Sequence, residues 1–210
     1  MIGKKFLTLT LATTVILSAC GQSKESLEAF YKKVEKANQE EKVIVDLNEK
    51  MAKAEKEKVK KIEELNKAKD GEFKSKAEEI TNDIKNREKI INDEKEAMDK
   101  SKKIYESSKN DYKAIEDEEQ SKEAADLKKA LDEKYKVHDK VIKGYKEVLN
   151  TEEKLFSYLS DDNATQEGAN DRSKKLAEVN KKTEKVVTEY QNNLKKVHQE
   201  KKDVSAILNE

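Results

Sequence analysis

The chain has 210 residues, 43% of them charged, 34% hydrophobic and 5% aromatic, with no Pro or Trp, five Gly and one Cys. So few turn-formers and aromatics leave little material for an all-β or α/β architecture, whereas the excess of Asp, Glu, Lys, Ala and Leu is that of long helices. Lys plus Arg and Asp plus Glu both number 45, a balance that argues against nucleic acid, whose binders carry a basic excess to neutralise phosphates.

The first 20 residues differ from the rest. Lys4 and Lys5 precede an apolar stretch from Phe6 to Leu17 broken only by Thr. At 12 residues it falls short of the roughly 20 that a bilayer-spanning helix needs, but it suits the apolar region of a signal peptide. It runs into Leu17-Ser18-Ala19-Cys20, the pattern of a bacterial lipobox. Leu17, Ser18 and Ala19 would be read by the signal peptidase, the small side chains giving it access to the backbone. The Cys20 thiol would take a diacylglycerol through a thioether and become the mature N-terminus. These features predict residues 1–19 as a cleaved signal, 20–24 as a short lipidated tether and 25–210 as the folded domain. The predicted place is the outer face of the cell membrane, lipid-anchored. With the lone Cys acylated, no disulfide supports the fold.

The body divides at three polar breaks. Asp70-Gly71 is a turn signal, 116–123 (EDEEQSKE) holds no apolar residue, and 160–171 (SDDNATQEGAND) has no apolar periodicity. The segments between them lie near 25–69, 72–116, 121–159 and 170–208, each long enough for a helix of roughly 60–70 Å at 1.5 Å per residue.

Alternating 3,4 spacing of apolar residues runs through each segment. The first places Leu27, Phe30, Val34, Ala37, Ile44, Met51, Ile62 and Leu65 in register, with Glu41, Asn48, Glu55 and Lys58 as gaps. The second runs from Phe73 through Ile80, Ile84, Ile91, Met98, Tyr105 and Tyr112 to Ile115, and the third from Ala124 through Leu131, Val141 and Val148 to Leu159. The fourth carries Leu176, Val179, Val186, Tyr190, Val197, Val204 and Ile207. Further apolar residues such as Tyr31, Ile90, Ile142 and Phe156 widen the stripe, as in a helix packed against two neighbours. The expectation is an all-α, elongated four-helix up-and-down bundle. Because EDEEQSKE contains neither Gly nor Pro, the alternative is three long helices in a coiled-coil rod, with 72–159 continuous. Near-equal segment lengths favour four. Ser121 is the expected cap of the third helix, with the acidic run beside its N-terminal dipole.

Chemistry is sparse. The two histidines, His138 and His198, lack the Glu-x-x-His or His-x-x-x-His spacing of a helical metal site. His138 occupies a core slot. The acidic stretch Glu116–Glu119 and the Asp161-Asp162-Asn163 loop lack the spaced ligands of a calcium loop and read as solvated. No nucleophile motif or phosphate-binding loop occurs, so neither catalytic residue nor metal nor cofactor is expected, and the chain is not expected to be an enzyme. Tyr105 and Tyr112 sit one heptad apart, either as a stacking platform for sugars or, since both hold core slots, as packing residues with the hydroxyl at the edge. Lysine pairs at 174–175, 181–182, 195–196 and 201–202 share one face of the last helix. Such a face would suit anionic wall polymer or lipid headgroups, but the glutamates among them make an ordinary solvated face the plainer reading.

The lipobox, the run SKESLEAFYKKVEKANQEEKVIVDLNEKMAKAEKEK from Ser23 to Lys58, and the Lys/Glu-rich helix after it resemble the YkyA-type family of cell-wall-binding lipoproteins of Gram-positive bacteria. The resemblance covers essentially the whole chain. It implies an all-α helical bundle and binding of cell-wall peptidoglycan or anionic wall polymer, with only Cys20 carrying over as a family residue. The function expected is therefore that of a non-enzymatic surface lipoprotein. The alternative is an adaptor or spacer that meets another membrane or secreted protein through a helix face.

Overall fold

The structure, a computed structural model, describes residues 16–69 and 71–210, with side chains from residue 21 onward. The side chains of Leu17, Ser18, Ala19 and Cys20 therefore lie outside the described residues, as do Lys4, Lys5 and most of the apolar stretch. Six helices form four rods. The first comprises α1 (Ile16–Glu40) and α2 (Val43–Leu65), and the second α3 (Phe73–Glu106) and α4 (Lys109–Lys113). The third and fourth are α5 (Glu118–Leu159) and α6 (Gln166–Leu208).

Consecutive rods run antiparallel. Lys61 meets Asp83, the Tyr105 hydroxyl donates to Asp132 at 2.7 Å, and Lys140 meets Glu189 at 3.1 Å. Lys201 on Glu35, at 2.6 Å, ties the fourth rod back to the first. This is the expected all-α up-and-down bundle. The continuous helix over 72–159 is excluded by a break spanning 107–117.

Each boundary has a local cause. Gly71, at φ +96°, supplies the left-handed turn between the first two rods; Asp70, the other half of that turn signal, lies outside the described residues. The third helix starts three residues before the expected point. Asp117, not Ser121, is its cap, accepting from the Gln120 N–H at 3.0 Å, while Glu118 and Glu119 place negative charge in the first turn. Similarly, Thr165 accepts from the Gly168 N–H at 3.1 Å and starts α6 at Gln166 instead of 170. Asp117→Ala should therefore lower stability by about 0.5–2 kcal/mol and Ser121→Ala should be near neutral, as thermal melts of the two variants would show.

The first segment bends at Glu41–Lys42, which the sequence pattern did not anticipate. There the N–H groups reach back only three residues, Glu41 to the Asn38 carbonyl at 3.2 Å and Lys42 to that of Gln39 at 3.3 Å. With no Pro or Gly present, the tightened turn aims Glu41 inward at Lys134, Nζ to Oε1 2.5 Å. The β-branched run Val43-Ile44-Val45 follows at once. The stretch expected as a tether also differs: Gln22, Ser23 and Lys24 belong to α1, and Ser23 is buried, its Oγ accepting from the Asp117 N–H at 3.0 Å.

The core lies in three groups along the rods. Leu27, Phe30, Val34, Leu127, Leu131 and Val204 fill the end nearest the start of α1. Ile84, Ile91, Ile142 and Leu149 fill the middle, and Leu65, Ala77, Ile80, Leu155 and Phe156 the far end. Charged residues are buried alongside them: Arg87, Lys134, His138 and Glu152 are each at most 2% exposed. No helix among the described residues is long and apolar enough to cross a membrane.

Candidate functional site

A concavity lies where α1, α3, α4 and α5 meet. Its construction begins with Ser107 and Ser108, whose hydroxyls donate back to the carbonyls of Ile104 and Tyr105, each at 2.6 Å. Such back-bonding competes with the helical ladder, and α3 ends there. The single turn of α4 is then pinned to α1 by Lys33, which donates to the Ser107 carbonyl at 3.0 Å and to Asp111 at 2.6 Å. This displaced turn carries Tyr112 out of the core register. Its ring rests on Phe30, centroids 5.8 Å apart and tilted by 55°, and remains half-buried.

Tyr105 takes the other role foreseen for the pair. It is buried, stacked on Tyr135 at 5.4 Å, with its hydroxyl at the edge donating to Asp132. Burial and the Asp132 carboxylate both push its ionisation far above the usual tyrosine range, so it stays a proton donor. Lys128 pairs with Asp132 at 2.6 Å and lies 5.8 Å from the centre of the Tyr112 ring. The result is a hollow of about 420 Å³ walled by Phe30, Tyr105 and Tyr112, with Glu106, Lys109, Lys128 and Asp132 as its polar groups. Tyr105, Glu106 and Asp132 also border a second hollow, about 500 Å³, rimmed by Lys102, Lys136, Lys140 and Lys143. Together they make one groove, aromatic at one end and lysine-rich at the other. An aromatic face beside hydrogen-bonding carboxylates suits a sugar ring, and a lysine rim suits carboxylate or phosphate substituents.

The remaining sequence candidates fall elsewhere. His138 is buried in its core slot, Nε2 3.0 Å from Glu94 and its ring against Tyr190. His198 is exposed on α6. Asp117 of the acidic stretch is a helix cap, and Asp161 accepts from the Asn163 N–H at 2.8 Å in a local turn. The paired lysines of α6 are exposed apart from Lys201, which is held on Glu35. One acidic trio was not foreseen, because its members come from two helices: Glu123, Glu200 and Asp203 bring carboxylate oxygens within 4.8 Å of one another. Two of them are already engaged, Glu123 with Lys122 at 3.0 Å and Asp203 with Gln199 at 2.9 Å. The sequence also missed Phe30, Asp132 and Tyr135 as groove residues. They join Tyr105 only through register between helices, for which local spacing carries no signal.

Among curated proteins no sequence matches the chain. A solved 1.6 Å crystal structure of a conserved protein of unknown function from Staphylococcus aureus is similar, with 31% identity and a TM-score of 0.76. The match covers 89% of this chain and 95% of that one. The model of the YkyA family, described as "Putative cell-wall binding lipoprotein", matches residues 25–207. With nearly the whole bundle inside that match, the chain belongs to the YkyA family.

Proposed function

We propose that the protein is a lipid-anchored surface protein that binds the cell wall through the α3–α5 groove, without catalysing a reaction. The observation that carries this reading is the groove itself: the half-buried Tyr112 ring beside the buried Phe30 and Tyr105, running into a lysine rim, a surface matched to a glycan with anionic substituents. The family description points the same way. Cys20, behind its lipobox residues, supplies the membrane attachment in this reading, and the groove supplies the wall contact.

The test is co-sedimentation of the full chain, kept in neutral detergent, with purified cell wall at low and high salt and with or without the anionic polymers. Tyr112→Ala should weaken wall binding about tenfold, roughly 1.4 kcal/mol, the scale of one lost aromatic contact and its burial. Lys136→Gln with Lys140→Gln should instead flatten the salt dependence, because exposed charges are screened within about 10 Å at 0.1 M salt. Unchanged binding by Tyr112→Ala would remove the groove from the reading. A wild-type chain that stays in the supernatant would remove wall binding altogether and favour the adaptor reading, for which cross-linking at the membrane would identify the protein partner.

A further inference from the structure

A second concavity has a different chemistry and lies on another face. Where the first rod bends, α2 moves off along α3, and a cleft of about 480 Å³ opens between the start of α2, the middle of α5 and α6. Two carboxylates line it, Glu41 and Glu94, each about one-sixth exposed. Both are held by groups behind the wall. Lys134 and Ser101 bond Oε1 of Glu41, and His138 bonds Oε1 of Glu94. Each carboxylate keeps its second oxygen outside these bonds. Tyr145 and Tyr190 line the cleft as well.

The rim is apolar in an otherwise densely charged chain. Val45 and Leu194 are 62% and 38% exposed, two of the few large apolar side chains that the bundle leaves in solvent. No lysine or arginine lines this cleft, whereas lysines line both parts of the α3–α5 groove. Glu41 is already ion-paired with Lys134 behind the wall, so the negative charge offered to the cleft rests chiefly on Glu94, with tyrosine and aliphatic side chains around it. Carboxylates beside aromatic faces attract a cation both by charge and through the ring quadrupole. The apolar rim would cover an alkyl chain.

We propose that this cleft binds a primary ammonium group on a short aliphatic stem, as carried by the side chain of a diamino acid in a peptide. The ammonium sits between Glu41 and Glu94 over the tyrosine rings, and the stem lies against Val45 and Leu194. The proposal does not depend on the glycan groove, since the two sites share no lining residue.

Isothermal titration of the full chain in neutral detergent tests it with two isosteric probes, Nα-acetyl-lysine methylamide and Nα-acetyl-norleucine methylamide. The amine should bind at least about tenfold more tightly than its neutral counterpart, a tenfold ratio being 1.4 kcal/mol. Leu194→Arg places a competing cation at the rim from an exposed position. It should abolish amine binding while leaving the melting temperature unchanged. Glu94→Gln should weaken binding about tenfold and serves as the second variant should Leu194→Arg disturb folding. Equal affinity for the two probes, no heat from either, or amine binding that survives both variants would overturn the proposal. Loss of wall co-sedimentation on Tyr112→Ala with amine binding intact would separate this site from the groove.

Discussion

Replacing Arg87 with Met should destabilise the bundle by about 3–5 kcal/mol, the usual cost of breaking a buried ion pair from one side. Arg87 is fully buried on α3. Its Nη1 lies 2.9 Å from Glu55 and 2.6 Å from Glu152, which is itself buried. Lys58 closes the ring, 2.7 Å from the other oxygen of Glu152 and paired with Glu55. Two cations and two carboxylates thus bridge α2, α3 and α5. Without the guanidinium, the buried carboxylate of Glu152 keeps one partner for a charge that had two. At roughly 2–4 °C per kcal/mol for a chain of this size, the melting temperature should fall by about 6–20 °C.

The double variant Arg87→Met with Glu152→Leu should recover most of that loss. It removes both buried centres and leaves Glu55 and Lys58 to pair nearer the surface. Nε and Nη2 of Arg87 find no acceptor in the bundle, so the natural arrangement is incompletely satisfied and an apolar replacement has little to forfeit. Denaturant melts of the single and double variants decide the matter. A single-variant loss under about 1 kcal/mol, the scale of an exposed pair, would refute the account. Acid adds an independent check. Burial pushes the Glu55 carboxyl up, but Lys58 and Arg87 outweigh it and hold the group below the usual carboxylate range. A depressed folded value means that its contribution is present above the unfolded value and lost as pH falls through the folded one. Stability should therefore decline on acidification below the ordinary glutamate range, and less steeply in Arg87→Met.

That ring also shows what periodicity conceals. Glu41, Asn48, Glu55 and Lys58 are gaps in the apolar pattern of the first segment, and three of them, Glu41, Glu55 and Lys58, prove to be partners of buried charges. The same rows continue through Arg87, Glu94 and Ser101 on α3, Ser108 just before α4, and Lys134, His138 and Glu152 on α5. Every one of these is buried or bonded to a buried partner. A charged residue in a core slot reads as a miss when each helix is taken alone. It becomes a partner only when the register brings Glu55, Lys58, Arg87 and Glu152 together, or Glu41 and Lys134. The four rods and their apolar faces were legible because they rest on local repetition, and so was the turn at Gly71. The bend at Glu41–Lys42 was not, because its cause is a partner 93 residues away. The groove was half legible: heptad spacing singled out Tyr105 and Tyr112, while the serine-driven break that gives them different fates looked like continuing helix.

The largest effect on location should come from Cys20→Ser. A serine hydroxyl cannot form the thioether, so the variant should lose detergent-dependent membrane association or accumulate unprocessed, as cell fractionation and the mass of the mature chain would show. A diacylglycerol supplies two chains, and stable anchoring needs two such signals, each buried methylene adding about 0.8 kcal/mol. The fold would keep such an attachment short. Ser23 is already buried and bonded to Asp117, so only Gly21 and Gln22 separate Cys20 from packed structure. Phe30, at the aromatic end of the groove, lies ten residues beyond Cys20, roughly 15 Å along a helix. A lipid on Cys20 would therefore hold that groove close to the membrane surface, where it would meet anionic glycan at the base of the wall. Ser23→Lys, which puts a bulky charge into this buried contact, should fray the start of α1 while leaving acylation intact. Membrane association should then persist as that end gains proteolytic sensitivity. Cys20→Ser protein that still fractionates with membranes and resists extraction until detergent is added would refute the anchor at this residue.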